Sequence, residues 1–257
     1  MTHDHDESAY RNHIREHLYP VLRELEPVRA LWEGGSAARG ALDEYSDIDI
    51  CMHAEDEAFA RIWEVFEAAL SKIAKVEQRW SPGKGLWPGM EQRVYILEDA
   101  PPYFMLDVVL FPASQPIPIL ERERHGEPIV ILDRDGEVIP CALDREAHEA
   151  RMKRACEHAW EASRIYLRLA NKEIARGRDI DAHGYYRASL GLLHTMLGAT
   201  YRPDTFDFGS RYLHEALPEE EAQRLERLTF FKASRFIETL EEMNAWFHQL
   251  RDTLKIS

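Results

Sequence analysis

The chain has 257 residues, 45% hydrophobic and 30% charged, with a formal net charge of −14. That length suits one large or two modest soluble domains, and no apolar run is long enough to span a bilayer. The acid excess argues against a nucleic-acid backbone as partner, which calls for a basic face; it would steer a cationic small molecule inward, but the ordinary acidity of a soluble protein is the preferred account of it. Cys51, Cys141 and Cys156 are odd in number and lack metal-ligand spacing, and the polar start from Met1 to Glu7 has no signal-peptide core. A reduced, cytoplasmic protein without membrane association is the expectation. His3 and His5 read as part of a polar tail rather than as metal ligands.

Tyr10, Ile14, Leu18, Val21 and Leu22 recur at helical spacing, so a helix is predicted before Pro27. Residues 28–32 read as a first strand and 47–52 as a second. Phe59, Ile62, Trp63, Phe66, Leu70 and Ile73 mark one face of an amphipathic helix, an aromatic stripe made for packing on a sheet. Residues 81–89 are rich in glycine and proline and read as a loop, with Lys84 a solvated loop side chain. Residues 93–97 and 103–111 suggest an antiparallel hairpin, and 128–132 an edge strand ended by Asp133 to Gly136. The order helix, strand, strand, helix, strand, strand, strand predicts a mixed-sheet α+β domain over residues 1–140. Residues 141–257 read as an all-helical bundle, with helices at 145–176, 182–200, 219–228 and 233–254. Gly177 is placed to cap the first of these.

The chemistry concentrates between the first two strands. Gly34, Gly35 and Ser36 form a turn, Arg39-Gly40 follows, and Ser46-Asp47-Ile48-Asp49 opens the second strand. Side chains at i and i+2 of a strand share a face, so Asp47 and Asp49 are aimed at one spot. Two such carboxylates repel unless a cation lies between them, and hard oxygen ligands suit magnesium. Glycines let a backbone approach a phosphate that a side chain would obstruct. A third acid, Asp107, interrupts the apolar run from Tyr103 to Phe111.

A Gly-Gly-Ser turn followed by Asp-x-Asp resembles the signature of DNA polymerase β-type nucleotidyltransferases, in particular their small bacterial branches, the antibiotic and minimal nucleotidyltransferases. The resemblance covers the first half of the chain. It implies a nucleotidyltransferase domain in which Asp47, Asp49 and Asp107 are the catalytic acids and hold one or two Mg2+ ions. By the same resemblance Gly34, Gly35, Ser36 and Arg39 bind the nucleotide. The implied reaction moves a nucleoside monophosphate, AMP from ATP, onto a hydroxyl of a small-molecule acceptor such as an aminoglycoside-like antibiotic. The helical half would then be the acceptor-binding domain.

Within that half, Glu157 and Glu161 lie one helical turn apart and read first as an exposed acidic face. Tyr185-Tyr186-Arg187 and the loop carrying Asp204, Phe206 and Asp207 are candidate acceptor-facing elements. A rival reading is of toxin–antitoxin type, in which the enzyme modifies a protein or the helical half cuts RNA. Arg187 with His194, and Arg151 with His158, match the loose Arg-x(4–6)-His pattern of HEPN ribonucleases. Two matches in one chain show how permissive that pattern is, and a surface arginine beside a packed histidine is the preferred account of each.

Overall fold

A computed structural model describes residues 7–83 and 85–256; His3, His5 and Lys84 lie outside the described residues. The chain divides into two compact units, Met1–Leu143 and Asp144–Ser257.

The first unit is α+β, as the pattern of periodicities predicts. Helix α1 (Glu7–Arg23) leads into β1 (Val28–Glu33), the short helix α2 (Gly35–Ala38), β2 (Ile48–Ala54) and α3 (Phe59–Ile73). Three strands follow, β3 (Val76–Trp80), β4 (Glu91–Leu97) and β5 (Leu106–Pro112), then α4 (Arg122–His125) and β6 (Ile129–Asp133). The six strands form one sheet in the order β3-β4-β5-β2-β1-β6. Only the central pair, β2 with β5, is parallel; the other pairings are antiparallel. β4 and β5 make the expected antiparallel pair, and β6 lies at the edge beside β1.

β3 has no counterpart among the expected elements. Its sequence Val-Glu-Gln-Arg-Trp is polar, and from Glu77 to Trp80 every residue is exposed. A strand at a sheet edge needs no buried face, so no alternation marks it. A side-chain knot fixes it instead. Glu67 of α3 accepts from Arg79 of β3 at 2.9 Å, and from Arg93 and Tyr95 of β4 at 2.6 and 3.0 Å.

Alternation sorts the two faces of the sheet. Ile48, Ile50, Met52 and Ala54 of β2, with Leu106, Val108 and Leu110 of β5, face a core closed by Ile14, Leu18 and Leu22 of α1 and by the α3 stripe. On the opposite face Cys51, Trp32 and Phe111 share a smaller cluster with Ala30, Met90 and Val138. Asp49 and Asp107, out of phase with the helix-covered residues, belong to this second face, at the end where β2 and β5 begin.

The second unit is helical throughout its regular structure: α5 (Arg145–Ala175), α6 (Asp179–Tyr201), α7 (Leu213–Ala216), α8 (Glu219–Thr229) and α9 (Phe236–Leu254). Asp144 caps α5 by accepting from the Ala147 N–H at 3.1 Å. Gly177 ends it at φ 70°, donating to Ile174 O while Arg178 N donates to Glu173 O, the paired bonds of a Schellman cap. Ala233–Arg235, expected as the start of the last helix, is a 3-10 turn preceding α9. Trp160, Tyr186, Leu193, Met196, Phe206, Met243, Trp246 and Phe247 fill the core of this unit. Among the described residues no helix is long and apolar enough to cross a membrane, and all three cysteines are free.

Candidate active site

The β1–β2 connection is bound to the strand it precedes. Gly34 donates its N–H to Asp49 O at 3.0 Å, extending the β1–β2 ladder by one bond. Gly35 then turns to φ 56° and opens α2. A Cβ built on Gly35 would stand 1.8 Å from Asp49 Oδ2, so any side chain here would displace that carboxylate, and the left-handed φ favours glycine as well. At Gly34 a Cβ would meet only Cys51 Sγ, at an ordinary 3.5 Å. The two glycines therefore differ. Gly34 spends its N–H on the sheet, and Gly35 makes the close approach.

Helix α2 has no side-chain cap, and the first N–H groups of any helix lack intrahelical acceptors. Gly35, Ser36 and Ala37 carry those groups here, and Gly35 lies against the Asp49 carboxylate. At the other end of α2, Glu127 N donates to Ala38 O at 2.8 Å, and Gly126 packs so closely that a Cβ there would lie 2.3 Å from Ala38 O. Arg39 follows as the exposed C-terminal cap residue.

Asp49 and Asp107 are direct partners across the parallel β2–β5 ladder. Adjacent strands lie about 4.8 Å apart and partnered side chains point the same way, so the two carboxylates stand side by side. Asp47 lies just before β2, and its Oδ1 accepts from Met105 N at 2.8 Å, tying the entry of β2 to the entry of β5. Burial pushes the Asp47 carboxyl above the usual carboxylate range; the Met105 bond opposes this, the Asp107 charge reinforces it, and Arg11 opposes it again. The same field reaches Cys51, whose thiol is pushed up first by burial and then by Asp49 and Asp107. A thiol held that far toward its neutral form is no nucleophile.

Among the described residues, no group of three or more His, Cys, Asp and Glu side chains is gathered closely enough to hold a metal ion as it stands. Two of the acids accept from hydrogen-bond donors of the protein. Gln92 Nε2 of β4 donates to both oxygens of Asp107, at 2.8 and 2.9 Å, and Met105 N serves Asp47. The donor set is nonetheless one that fits Mg2+: hard carboxylate oxygens from Asp49 and Asp107 on one face, with Asp47 close enough to feel the Asp107 charge.

Two residues of this arrangement escaped the sequence reading. Gln92 carries no motif, and only the β4–β5 register brings it to Asp107. Arg11 is 7% exposed and donates from Nη1 to Ser46 O at 2.9 Å, behind Asp47. It did leave a signal, because the spacing 11, 14, 18, 22 puts it on the buried stripe of α1. Ser46 is further held by Asp43, which donates its N–H to Ser46 Oγ at 2.9 Å and accepts from that hydroxyl at 2.6 Å.

Several candidates of the helical unit have structural roles of their own, and others are exposed. Tyr186 is buried and donates its hydroxyl to Leu228 O, and Phe206 is in the core. Asp204 pairs with Arg145, and Glu157 with Lys153 at 3.9 Å; Glu161 is exposed. Arg187 is exposed, while burial and then the Arg202 charge lower the pKa of His194. Arg151 donates to His148 Nδ1 at 2.8 Å within α5.

Comparison with known proteins bears on the first unit. Residues 16–88 match the model of the nucleotidyltransferase domain, the DNA polymerase β type. That span holds β1, the α2 turn, β2 with Asp47 and Asp49, and all of α3. No curated protein matches the sequence. Among solved structures, a spectinomycin adenyltransferase from Enterococcus faecialis with ATP and spectinomycin is similar over 97% of this chain and 100% of its own. Its identity is 12% and its TM-score 0.36, too distant to set residue against residue.

Proposed function

We propose that this chain is a nucleotidyltransferase that uses the acids of its first unit to transfer AMP from ATP to a hydroxyl of a small cationic acceptor. The observation that carries the reading is the side-by-side placement of Asp49 and Asp107 on the parallel central strands, directly beside the Gly35 turn. The α2 first-turn N–H groups of Gly35, Ser36 and Ala37 would bind the outer phosphates, with Arg39 following as a further positive group. Gly34 supports them from the sheet, having no N–H to give. Asp47, Asp49 and Asp107 would hold Mg2+, which supplies positive charge against the triphosphate and lowers the cost of deprotonating the acceptor hydroxyl.

The reaction asks little covalent work of the protein. The acceptor oxygen bonds to the α-phosphorus, the bond from that phosphorus to the β-bridging oxygen breaks, and pyrophosphate leaves. The hydroxyl proton passes to a carboxylate of the site or to solvent. The net charge of −14 favours an acceptor that carries amines, so aminoglycoside-like antibiotics are the first class to try. The helical unit is then the candidate acceptor-binding domain.

The test is incubation of the full chain with Mg2+ and ATP labelled on the α-phosphate, in the presence of a panel of aminoglycosides and aminocyclitols. Label moving into one of these, with pyrophosphate release, and lost in Asp49→Asn, is the expected result. Label moving into a protein band in a cell lysate, with none in any small molecule, would replace the acceptor by a polypeptide.

A further inference from the structure

We infer that Gln92 is a positioning residue for Asp107 that sets how this acid binds a cation and so biases the site toward Mg2+ over Ca2+. The inference deepens the proposed function and rests on its assignment of Asp107 as a metal ligand.

Gln92 Nε2 is almost equidistant from the two Asp107 oxygens, at 2.8 and 2.9 Å. Only the amide nitrogen of Gln92 suits that place, since its oxygen would repel a carboxylate. The register explains the contact. Val94 is the direct partner of Asp107 across the β4–β5 ladder. Gln92, two residues back, shares the Val94 face, and its longer side chain spans the diagonal. Gln92 is half-buried, so its amide is partly screened from competing water.

A donor nearly equidistant from both oxygens lies where a chelating cation would sit if Asp107 bound through both. With Gln92 in place, Asp107 takes a cation through one oxygen. Mg2+ demands a near-octahedral shell of single oxygens, whereas Ca2+ accepts carboxylates that chelate through both, in a looser shell. An amide between the oxygens therefore disfavours the larger ion. It also fixes the carboxylate plane, the usual task of a partner one shell out from a metal. Met105 N cannot do this for Asp47, since it reaches one oxygen only.

The test measures ion affinity rather than turnover. The full chain, Gln92→Met and Gln92→Ala are titrated calorimetrically with MgCl2 and with CaCl2 in the presence of a non-hydrolysable ATP analogue, and each is unfolded by heat to verify the fold. Met keeps the volume of Gln without the donor, so it separates the bond from packing. The expected result is Mg2+ affinity lowered about tenfold or more, with Ca2+ affinity kept or raised, in both variants. Equal losses for the two ions in folded variants would reduce Gln92 to a structural role and overturn the inference. Asp107→Asn separates the layers of the account. If it abolishes ion binding while the Gln92 variants leave the ion ratio unchanged, the functional reading stands and this inference fails. If Asp107→Asn leaves ion binding intact, the metal assignment itself is wrong and the inference falls with it.

Discussion

Asp49 lies over Gly35 so closely that a Cβ at residue 35 would stand 1.8 Å from Oδ2 and 2.4 Å from Cγ of the carboxylate. The Gly35 turn and the Asp49 carboxylate are thus packed directly against each other. Gly35→Ala is expected to keep the sheet but push the Asp49 carboxylate off its place. The left-handed φ of 56° adds about 1–2 kcal/mol of backbone cost for alanine. Transfer should fall about a hundredfold or more, the scale of an ångström-sized misplacement. Steady-state kinetics beside far-ultraviolet circular dichroism checks this; full activity in Gly35→Ala would contradict it. Gly34→Ala, whose Cβ would meet only Cys51 Sγ at 3.5 Å, should be the milder change.

Arg11 reaches from α1 to the backbone behind Asp47. Replacing it by Met keeps the stem but leaves Ser46 O without the 2.9 Å bond. An unsatisfied buried acceptor costs about 1–3 kcal/mol, so urea unfolding should show a loss of that order. The loosened 43–46 turn should also raise the Mg2+ concentration needed for half-maximal transfer. A variant as stable and as active as the parent would remove Arg11 from the account.

Glu67 supplies a pH dependence whose sign can be worked out. Burial pushes its carboxyl up, but hydrogen bonds from Arg79, Tyr95 and Arg93 outweigh that and hold it below the usual range. The folded state thus favours the ionised form more than the unfolded state does. Its stabilisation is present above the unfolded value of about 4.3 and is lost as pH falls through the lower folded value. Glu67→Gln should therefore be less stable than the parent at pH 7, with the gap closing toward pH 3. Denaturant melts at the two pH values test this, and a gap that fails to narrow as pH falls below the unfolded value would contradict it.

In the helical unit, Gly198 lets α6 approach the 203–206 turn. A Cβ there would lie 2.5 Å from Phe206 O and 3.0 Å from Phe206 Cα. Alanine is the better helix former by about 1 kcal/mol, yet overpacking against backbone costs about 1–3 kcal/mol. Gly198→Ala should lower the melting temperature, and an unchanged or higher value would show that the turn yields.

The parts of this structure written in the sequence are those that follow a period or a local conformation. The α1 and α3 stripes, the apolar central strands and the Gly177 cap each follow from neighbours a few residues away. What stayed hidden depends on register or on an edge. β3 is an exposed border strand held by Glu67 and cross-strand bonds, so it has no apolar alternation to read. The Gln92 contact exists only because Val94 pairs with Asp107. The i, i+2 spacing of Asp47 and Asp49 was plain, but not that β2 begins after Asp47, whose carboxylate turns to Met105 N. Nor could the Gly34-Gly35 pair be divided by inspection. One glycine closes a ladder and the other admits a carboxylate, a difference set by the strand that follows.

The most direct measurement is a crystal structure of the protein soaked with Mn2+ and a non-hydrolysable ATP analogue, recorded where manganese scatters anomalously. The account predicts an anomalous peak between the carboxylates of Asp49 and Asp107, with the outer phosphates against the N–H groups of Gly35, Ser36 and Ala37. A nucleotide bound elsewhere, or at this turn with no ion between those two acids, would contradict it.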